Sequence, residues 1–243
     1  MLRRARPIPE TMMRKLALLL LTVGLLTPAA DTFTAPESLA LTSLERLKTG
    51  NAVFAAHPEE ALPVTAERRA ELTKGQTPFA SVLSCADSRV PPEIVFHTGL
   101  GDLFVVRAAG QVTDKSVLAS LEYAAEHLHA PLIVVMGHES CGAVKAAMET
   151  PAATSLGVNL DYLLKAIRPS VSAVSAEPET GRLRAAILRN VEESLNDVID
   201  GSALLKKMLD EGDIGLVGAY YELASGRVHF SEPVTKAASS AHK

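Results

Sequence analysis

The sequence predicts an α/β fold, in which a central and mainly parallel β-sheet is flanked by helices. Three short segments rich in β-branched or large apolar side chains have the pattern of buried strands: residues 79–84, 103–106 and 131–137. Four apolar residues recur at helical spacing between the last two segments: Val117, Leu121, Ala124 and Leu128. A cap at Thr113 or Asp114 would begin this helix. A strand, a helix and a strand in this order are typical of the crossover that joins parallel strands.

The rest of the chain predicts further helices and a terminal hairpin. A short helix is expected to begin near Cys141. A longer amphipathic helix is marked by four regularly spaced apolar residues: Ile187, Val191, Leu195 and Val198. Gly-Ser at residues 201–202 is expected to interrupt it before the segment 203–209. Residues 214–220 and 227–230, joined through Ala-Ser-Gly, predict a hairpin.

The first thirty residues have the three parts of a secretory signal. A basic stretch precedes an apolar run of eleven residues, 16–26, and small residues with a proline follow at 27–30. A run of that length is too short to span a bilayer, for which roughly 18 or more residues are needed. We therefore expect residues 1–30 to be removed on export to the periplasm or the medium, leaving residues 31–243 as one domain. A membrane anchor and a buried core helix are the alternatives for the apolar run.

Charge argues against nucleic acid and membrane surfaces as partners. The whole chain has a net charge of −4. Without residues 1–30, 19 basic and 27 acidic residues remain, a net charge of −8. Such a surface repels phosphate backbones and anionic lipids. We expect no nucleic-acid partner, and no stable membrane insertion once the signal is removed.

The two cysteines of the chain each lie in a short cluster of metal-binding or charged residues. The clusters are Cys-Ala-Asp-Ser-Arg at residues 85–89 and His-Glu-Ser-Cys at residues 138–141. Two thiolates, an imidazole and a nearby carboxylate can bind a zinc ion and leave room for an exchangeable ligand, which is typical of catalytic zinc. The sequence therefore predicts metal-assisted hydration or hydrolysis.

The predicted strands bring the two clusters to one edge of the sheet. Cys85 directly follows the first apolar segment, and His138 directly follows the third. Ligands of open α/β sheets bind beyond the carboxyl ends of the strands. A helix beginning near Cys141 would direct its free backbone amides towards the same point and stabilise a thiolate.

A disulfide between Cys85 and Cys141 is the alternative interpretation. An oxidising compartment favours disulfides, and two cysteines are an even number. A disulfide, however, needs neither His138 beside one cysteine nor Asp87 and Arg89 beside the other, whereas a metal site needs ligands and supporting groups of these kinds. The neighbours favour zinc.

These residues resemble the β-class carbonic anhydrases. Three segments are similar to the signature segments of that family, in order and at familiar separation: CADSRVPPE at 85–93, GDLFVVR at 101–107 and GHESCGAV at 137–144. The likeness extends to three more segments and covers nearly the whole chain after residue 30: 47–54, 120–124 and 218–226.

The resemblance implies a role for each residue of the two clusters. Cys85, His138 and Cys141 match the zinc ligands of the family. Asp87 and Arg89 match a paired carboxylate and guanidinium. In that pair the aspartate either accepts a hydrogen bond from zinc-bound hydroxide or, in a resting state, is itself the fourth zinc ligand.

The resemblance also implies a substrate site and a partner subunit. Gln76 matches a glutamine that hydrogen-bonds the substrate or bicarbonate, and the backbone amide of Gly142 is expected to assist. The family implies one zinc ion per subunit and a homodimer or dimer of dimers whose active-site cleft is built at the interface. The helical stretch around Leu44, Leu47 and Phe54 matches the amino-terminal helical arm that wraps the partner.

The function predicted in this way is the reversible hydration of carbon dioxide to bicarbonate and a proton, catalysed by zinc-bound hydroxide. Hydrolysis of carbon disulfide or carbonyl sulfide with the same ligands is a second enzymatic interpretation, since close relatives of this fold perform it. A non-catalytic exported protein with a Cys85–Cys141 disulfide belongs to a different class and is the third.

Overall fold

A computed structural model describes residues 36–62 and 64–236 of the 243-residue chain. The predicted secretory signal, residues 1–30, lies outside the described residues. None of the helices in the described ranges is long and apolar enough to cross a membrane.

The centre of the fold is a five-stranded sheet. Its strands are β1 (Ala80–Cys85), β2 (Leu103–Ala108), β3 (Leu132–His138), β4 (Gly215–Tyr221) and β5 (Val228–Phe230). Their order in the sheet is β2-β1-β3-β4-β5. The first four strands are parallel, and β5 pairs antiparallel with β4. The predicted mainly parallel sheet with a terminal hairpin is confirmed.

Eight α-helices surround this sheet in the described part of the chain. They are α1 (Pro36–Ala56), α2 (Ala66–Leu72), α3 (Pro92–Val95), α4 (Lys115–Glu126), α5 (Gly142–Glu149), α6 (Val158–Ala173), α7 (Glu179–Gly201) and α8 (Ala203–Glu211). Asp114 caps α4, because its carboxylate accepts a hydrogen bond from the amide of Val117 at 2.9 Å. Ser202 caps α8 in the same way through the amide of Leu205, which explains why α7 ends at Gly201.

Alternate residues of the central strands point into two separate hydrophobic cores. On one face, Val82 and Val134 pack in a core to which α1, α5 and α6 contribute. On the other, Leu83 and Ile133 pack in a core to which α4 and α8 contribute. Helix α7 contributes to both cores. Every residue of β1 and β3 is buried, as expected for parallel strands covered on both faces.

The amino-terminal helix packs on its own chain. Leu44 and Leu47 of α1 are buried in the first core, so these two leucines are not available to a partner subunit. A Cβ atom added at Gly50 would lie 1.9 Å from the carbonyl oxygen of Phe96, so only glycine permits this close approach. Leu39 and Leu41 near the start of the helix are exposed.

Candidate metal centre

The three predicted ligands converge at one edge of the sheet. Strands β1 and β3 are neighbours, so their carboxyl ends lie side by side. Cys85 is the last residue of β1, His138 is the last of β3, and Cys141 directly precedes α5. One ligand atom from each residue lies within 4.8 Å of the other two, and all three residues are buried. The structure therefore brings together the three residues that the sequence predicts as ligands, in an arrangement that could hold a metal ion.

The donor atoms fit a zinc ion. The Nδ1 atom of His138 is 2.9 Å from the carbonyl oxygen of Glu139, and because a carbonyl can only accept, Nδ1 carries the proton. The Nε2 atom therefore presents a lone pair, and it is buried without a hydrogen-bond partner in the described part of the chain. Neither cysteine is in a disulfide. Two sulfurs and one unpartnered imidazole nitrogen are a ligand set that zinc prefers.

The cysteine pair is electrostatically asymmetric. A hydrogen bond from the thiol of Cys141 holds the pKa of Cys85 well below the usual range, and the backbone amides of Asp87 and Gly110 act in the same direction. The same bond, together with burial, raises the pKa of Cys141 because that thiol is the donor. The backbone amides of Ala143 and Val144, in the first turn of α5, act in the opposite direction on Cys141. A metal ion replacing the shared proton would be bound by two thiolates.

Asp87 is held beside the ligands by Arg89. The Nε and Nη2 atoms of Arg89 donate to Oδ1 and Oδ2 of Asp87 at 2.9 and 2.7 Å. The side-chain hydrogen bonds from Arg89 keep the pKa of Asp87 well below its usual range, so the carboxylate is ionised. Its Oδ2 atom is 3.9 Å from Nε2 of His138. An ionised acceptor therefore lies next to the position that a metal ion would occupy.

Arg107 fixes the backbone that carries the first cluster, a role that the sequence did not indicate. Its Nε donates to the carbonyl oxygen of Cys85 at 3.0 Å, and its Nη2 donates to the carbonyl oxygen of Asp87. Arg107 lies on β2 directly opposite Ser84 of β1. The feature of the sequence that could have indicated this role is a charged residue within an otherwise apolar strand.

Two backbone amides donate to the sulfur of Cys85. They belong to Asp87, at 3.4 Å, and to Gly110, at 3.3 Å. Gly110 lies in a short 3₁₀ turn, Ala109–Gln111, which directly follows β2. It has a φ of 64°, and an added Cβ atom would lie 2.8 Å from Cδ1 of Ile167. A turn that follows a strand next to β1 could have indicated this contact, because the two strands end at the same edge.

The two predicted substrate-binding residues lie in different places. Gly142 begins α5 directly after Cys141, and an added Cβ atom would meet nothing within 4 Å, so open space adjoins the ligand cluster. Gln76 is exposed in the loop before β1, at the opposite end of that strand from Cys85. The six residues of β1 span about 20 Å. Within one chain, the structure does not bring Gln76 to the cluster.

Comparisons with known proteins agree with one another. A family model described as carbonic anhydrase matches residues 80–228. The chain is 40% identical over 203 residues to a carbonic anhydrase of Mycolicibacterium smegmatis, covering 79% of this chain and 94% of that one. It is 38% identical over 197 residues to carbonic anhydrase 2 of Mycobacterium tuberculosis, covering 79% and 93%. Among solved structures, the β-carbonic anhydrase CcaA is similar with a TM-score of 0.63 and 26% identity, covering 78% of this chain and 85% of that chain.

Proposed function

From the membership of this chain in the carbonic anhydrase family, and within it in the β class, we propose that Cys85, His138 and Cys141 bind one zinc ion per subunit. With that ion the enzyme catalyses the reversible hydration of carbon dioxide to bicarbonate and a proton. The observation that carries the proposal is the unpartnered Nε2 atom of His138, buried beside two sulfurs that are not joined in a disulfide.

The bound zinc would lower the pKa of a water molecule and so supply hydroxide as the nucleophile near neutral pH. The residues of the chain orient the reaction. Asp87 is ionised and would accept a hydrogen bond from the nucleophile, which would direct the nucleophilic lone pair towards carbon dioxide. Arg89 engages both carboxylate oxygens and so keeps Asp87 from binding the metal. This geometry favours the working arrangement of the pair over a resting state in which Asp87 is a fourth ligand.

We also propose that a second copy of the chain completes the site. Gln76 lies at the far end of β1 from its own Cys85, so it can serve a site only in another subunit. Around it, Leu72, Leu100 and Gly101 line a shallow surface pocket. Leu100 is exposed although it is large and apolar. A homodimer, or a dimer of dimers, would cover this surface and bring Gln76 of the partner to the substrate.

Export is a separate proposal, which rests on the basic, apolar and small-residue parts of residues 1–30. Expression of the full chain in a Gram-negative host, followed by fractionation and intact-mass measurement, tests it. A periplasmic product shortened by about thirty residues is expected. A full-length product in the membrane or cytoplasmic fraction would contradict it.

The zinc proposal is tested by comparing two substitutions at adjacent buried positions of β1. Cys85→Ser removes a ligand sulfur. Ser84→Ala removes a buried hydroxyl that has no hydrogen-bond partner in the described part of the chain, so it serves as the matched control. Zinc content is measured by mass spectrometry, and carbon dioxide hydration by stopped flow with a pH indicator.

We expect one zinc per chain and full activity in the wild type and in Ser84→Ala. Cys85→Ser should lose most of its zinc and at least about a hundredfold in activity. Wild-type activity in Cys85→Ser would overturn the proposal. A wild-type protein that carries a Cys85–Cys141 disulfide and no metal would also overturn it.

A further inference from the structure

Two buried polar side chains, one on α6 and one on α7, are hydrogen-bonded to each other and to the turn beside the metal ligands. Ser170 of α6 is fully buried, and Asn190 of α7 is only 3% exposed. They lie on two helices that both contribute apolar side chains to the first core. Burying an amide costs free energy unless its hydrogen bonds are made. Their partners therefore indicate what these residues do.

The hydrogen bonds of Asn190 fix its orientation. Its Nδ2 donates to the carbonyl oxygen of Gly110 at 2.8 Å, and Oγ of Ser170 donates to its Oδ1 at 3.4 Å. Because a carbonyl can only accept, the nitrogen and not the oxygen of the Asn190 amide must face Gly110. The asparagine therefore ties the turn after β2 to the middle of α7.

The turn after β2, to which Asn190 is hydrogen-bonded, has an unfavourable backbone conformation. Gly110 and Gln111 are consecutive residues with left-handed conformations, φ 64° and φ 44°. Residues other than glycine adopt such angles at a cost and keep them only where the surroundings enforce them. Packing confines Gly110 further, since an added Cβ atom would lie 2.8 Å from Ile167 and 3.3 Å from Ala143. The hydrogen bond from Asn190 is the polar part of this restraint.

The backbone of this turn contacts one of the metal ligands. The amide of Gly110 donates to the sulfur of Cys85 at 3.3 Å, and this contact is buried. An N–H group directed at a thiolate withdraws electron density from the sulfur and fixes its position. Groups that support a metal ligand in this way control how strongly that ligand binds and donates to the metal.

We propose that Asn190 is a positioning residue for the metal centre, acting through Gly110 to hold a backbone amide on the sulfur of Cys85. The inference rests on the proposed zinc site and extends it to a side chain that contacts none of the ligands. Ser170 supports the same restraint by fixing the amide of Asn190.

Cobalt(II), substituted for zinc in the full chain, reports on the sulfur directly through its sulfur-to-cobalt charge-transfer band. Asn190→Leu keeps the approximate volume of the side chain but removes the donor to Gly110. Without the amide hydrogen bond the sulfur lone pairs rise in energy, so the band should move to longer wavelength. Zinc affinity, measured by competition with a chelator, should fall by about tenfold.

Ser202→Ala is the matched control. Ser202 is also a buried polar residue, and its hydroxyl accepts a hydrogen bond from the backbone amide of Leu205. It caps α8, and none of its hydrogen bonds in the described part of the chain involves the metal centre. Its loss should lower the thermal unfolding midpoint without moving the charge-transfer band, and zinc affinity should stay within about twofold. A merely structural role for Asn190 would give the same result as this control.

The following results would overturn the inference that Asn190 positions the metal centre, or the proposed function itself. A folded Asn190→Leu protein with an unchanged band and unchanged zinc affinity would overturn the inference, as would an equal shift in Ser202→Ala. If Asn190→Leu does not fold, Ser170→Ala replaces it, and the same shift to longer wavelength, smaller in size, is expected. An unshifted band in that variant would then overturn the inference. A wild-type chain that binds neither cobalt nor zinc would instead refute the proposed function.

Discussion

Arg89 donates to both carboxylate oxygens of Asp87, and its backbone amide donates to Oδ1 as well, at 2.9 Å. The aspartate is thereby ionised and turned towards a guanidinium that is itself half-exposed, with 49% of its side-chain surface accessible. One side of the pair faces solvent and the other faces the ligand cluster. The pair can therefore act on the nucleophile while remaining in contact with water.

Removal of Arg89 should change the pH dependence of activity. The pKa of Asp87 is depressed chiefly by the Arg89 side chain, so the wild-type carboxylate stays ionised as the pH falls through the ordinary carboxyl range near about 4. In Arg89→Leu that pKa rises, and protonation removes the acceptor at a higher pH. We therefore expect an acid limb displaced upwards. At neutral pH we expect at least about a tenfold loss of kcat/KM, because Asp87 without Arg89 is free to bind the metal itself.

Arg189→Leu provides the control for this prediction. Arg189 also pairs with carboxylates, those of Glu192 and Glu193, but on the surface of α7 away from the ligands. Its loss should leave the pH profile unchanged. Stopped-flow measurements in the bicarbonate dehydration direction cover the acid range. An Arg89→Leu profile parallel to that of the wild type would show that the pair does not tune Asp87.

Hydration activity of the wild type should rise towards alkaline pH. Two thiolates cancel the formal charge of a zinc ion, so the metal is a weaker Lewis acid than one bound by neutral imidazoles. The group that supplies the nucleophile should therefore titrate above about pH 7. Stopped-flow rates between about pH 6 and 9 test this expectation, with a chelator-treated sample as the background. A flat profile over that range is inconsistent with the proposed chemistry.

Complementation between subunits tests the role of Gln76. If Gln76 serves the site of the partner, Gln76→Ala and Cys85→Ser should each have low activity alone. Co-expression of the two variants should restore about a quarter of the wild-type activity, because half of the dimers are mixed and each mixed dimer has one intact site. The double variant, with both changes on one chain, should remain inactive. Activity of the mixture equal to the mean of the two variants would contradict a shared site.

Asn51 should be important for stability rather than catalysis. Its Nδ2 donates to the carbonyl oxygens of Val95 and Gly226, and its Oδ1 accepts from the amide of Val228. Asn51→Ala leaves these three backbone groups without the side-chain partner, which should lower the free energy of unfolding by about 3 kcal/mol. Asn196→Ala, at an exposed position of α7, should change it by less than about 0.5 kcal/mol.

Denaturant unfolding of the zinc-loaded proteins measures both changes. Zinc content of folded Asn51→Ala should remain at the wild-type level, since Asn51 contacts none of the ligands. Equal stability of the two asparagine variants would show that α1 is held to the rest of the chain mainly by its apolar side chains.

The ligand set could be predicted from the sequence because both its chemistry and its location follow simple rules. Cys85 and His138 each follow an apolar strand, and parallel strands end at a common edge. Helix α6 was not predicted. Pro169 lies inside it, and Val158, Leu160 and Tyr162 are exposed although they are apolar, so the amphipathic pattern is obscured. Periodicity detects a helix only when its apolar residues face the core.

The support of the cluster could not be predicted either. The donor to the sulfur of Cys85 from the turn after β2 is a backbone amide, and no side-chain pattern marks it. Asn190 reaches that turn across 80 residues of sequence, a contact that only the packed tertiary structure creates. A buried asparagine in an otherwise amphipathic helix is a signal that such a contact exists, but it does not identify the partner.

Cys85 ends β1 and His138 ends β3. In a sheet ordered β2-β1-β3-β4-β5 both of these strands are internal, so neither ligand belongs to a border strand. Both strands are flanked by hydrogen-bonded neighbours, and opening either of them would break the sheet in two. The spacing of the two ligand positions is therefore set by pairing inside the sheet, and Cys85 has further support from Arg107 and the turn after β2. Changes beyond β5, at the other border of the sheet, can therefore alter the surface of the fold while the two ligand positions keep their spacing.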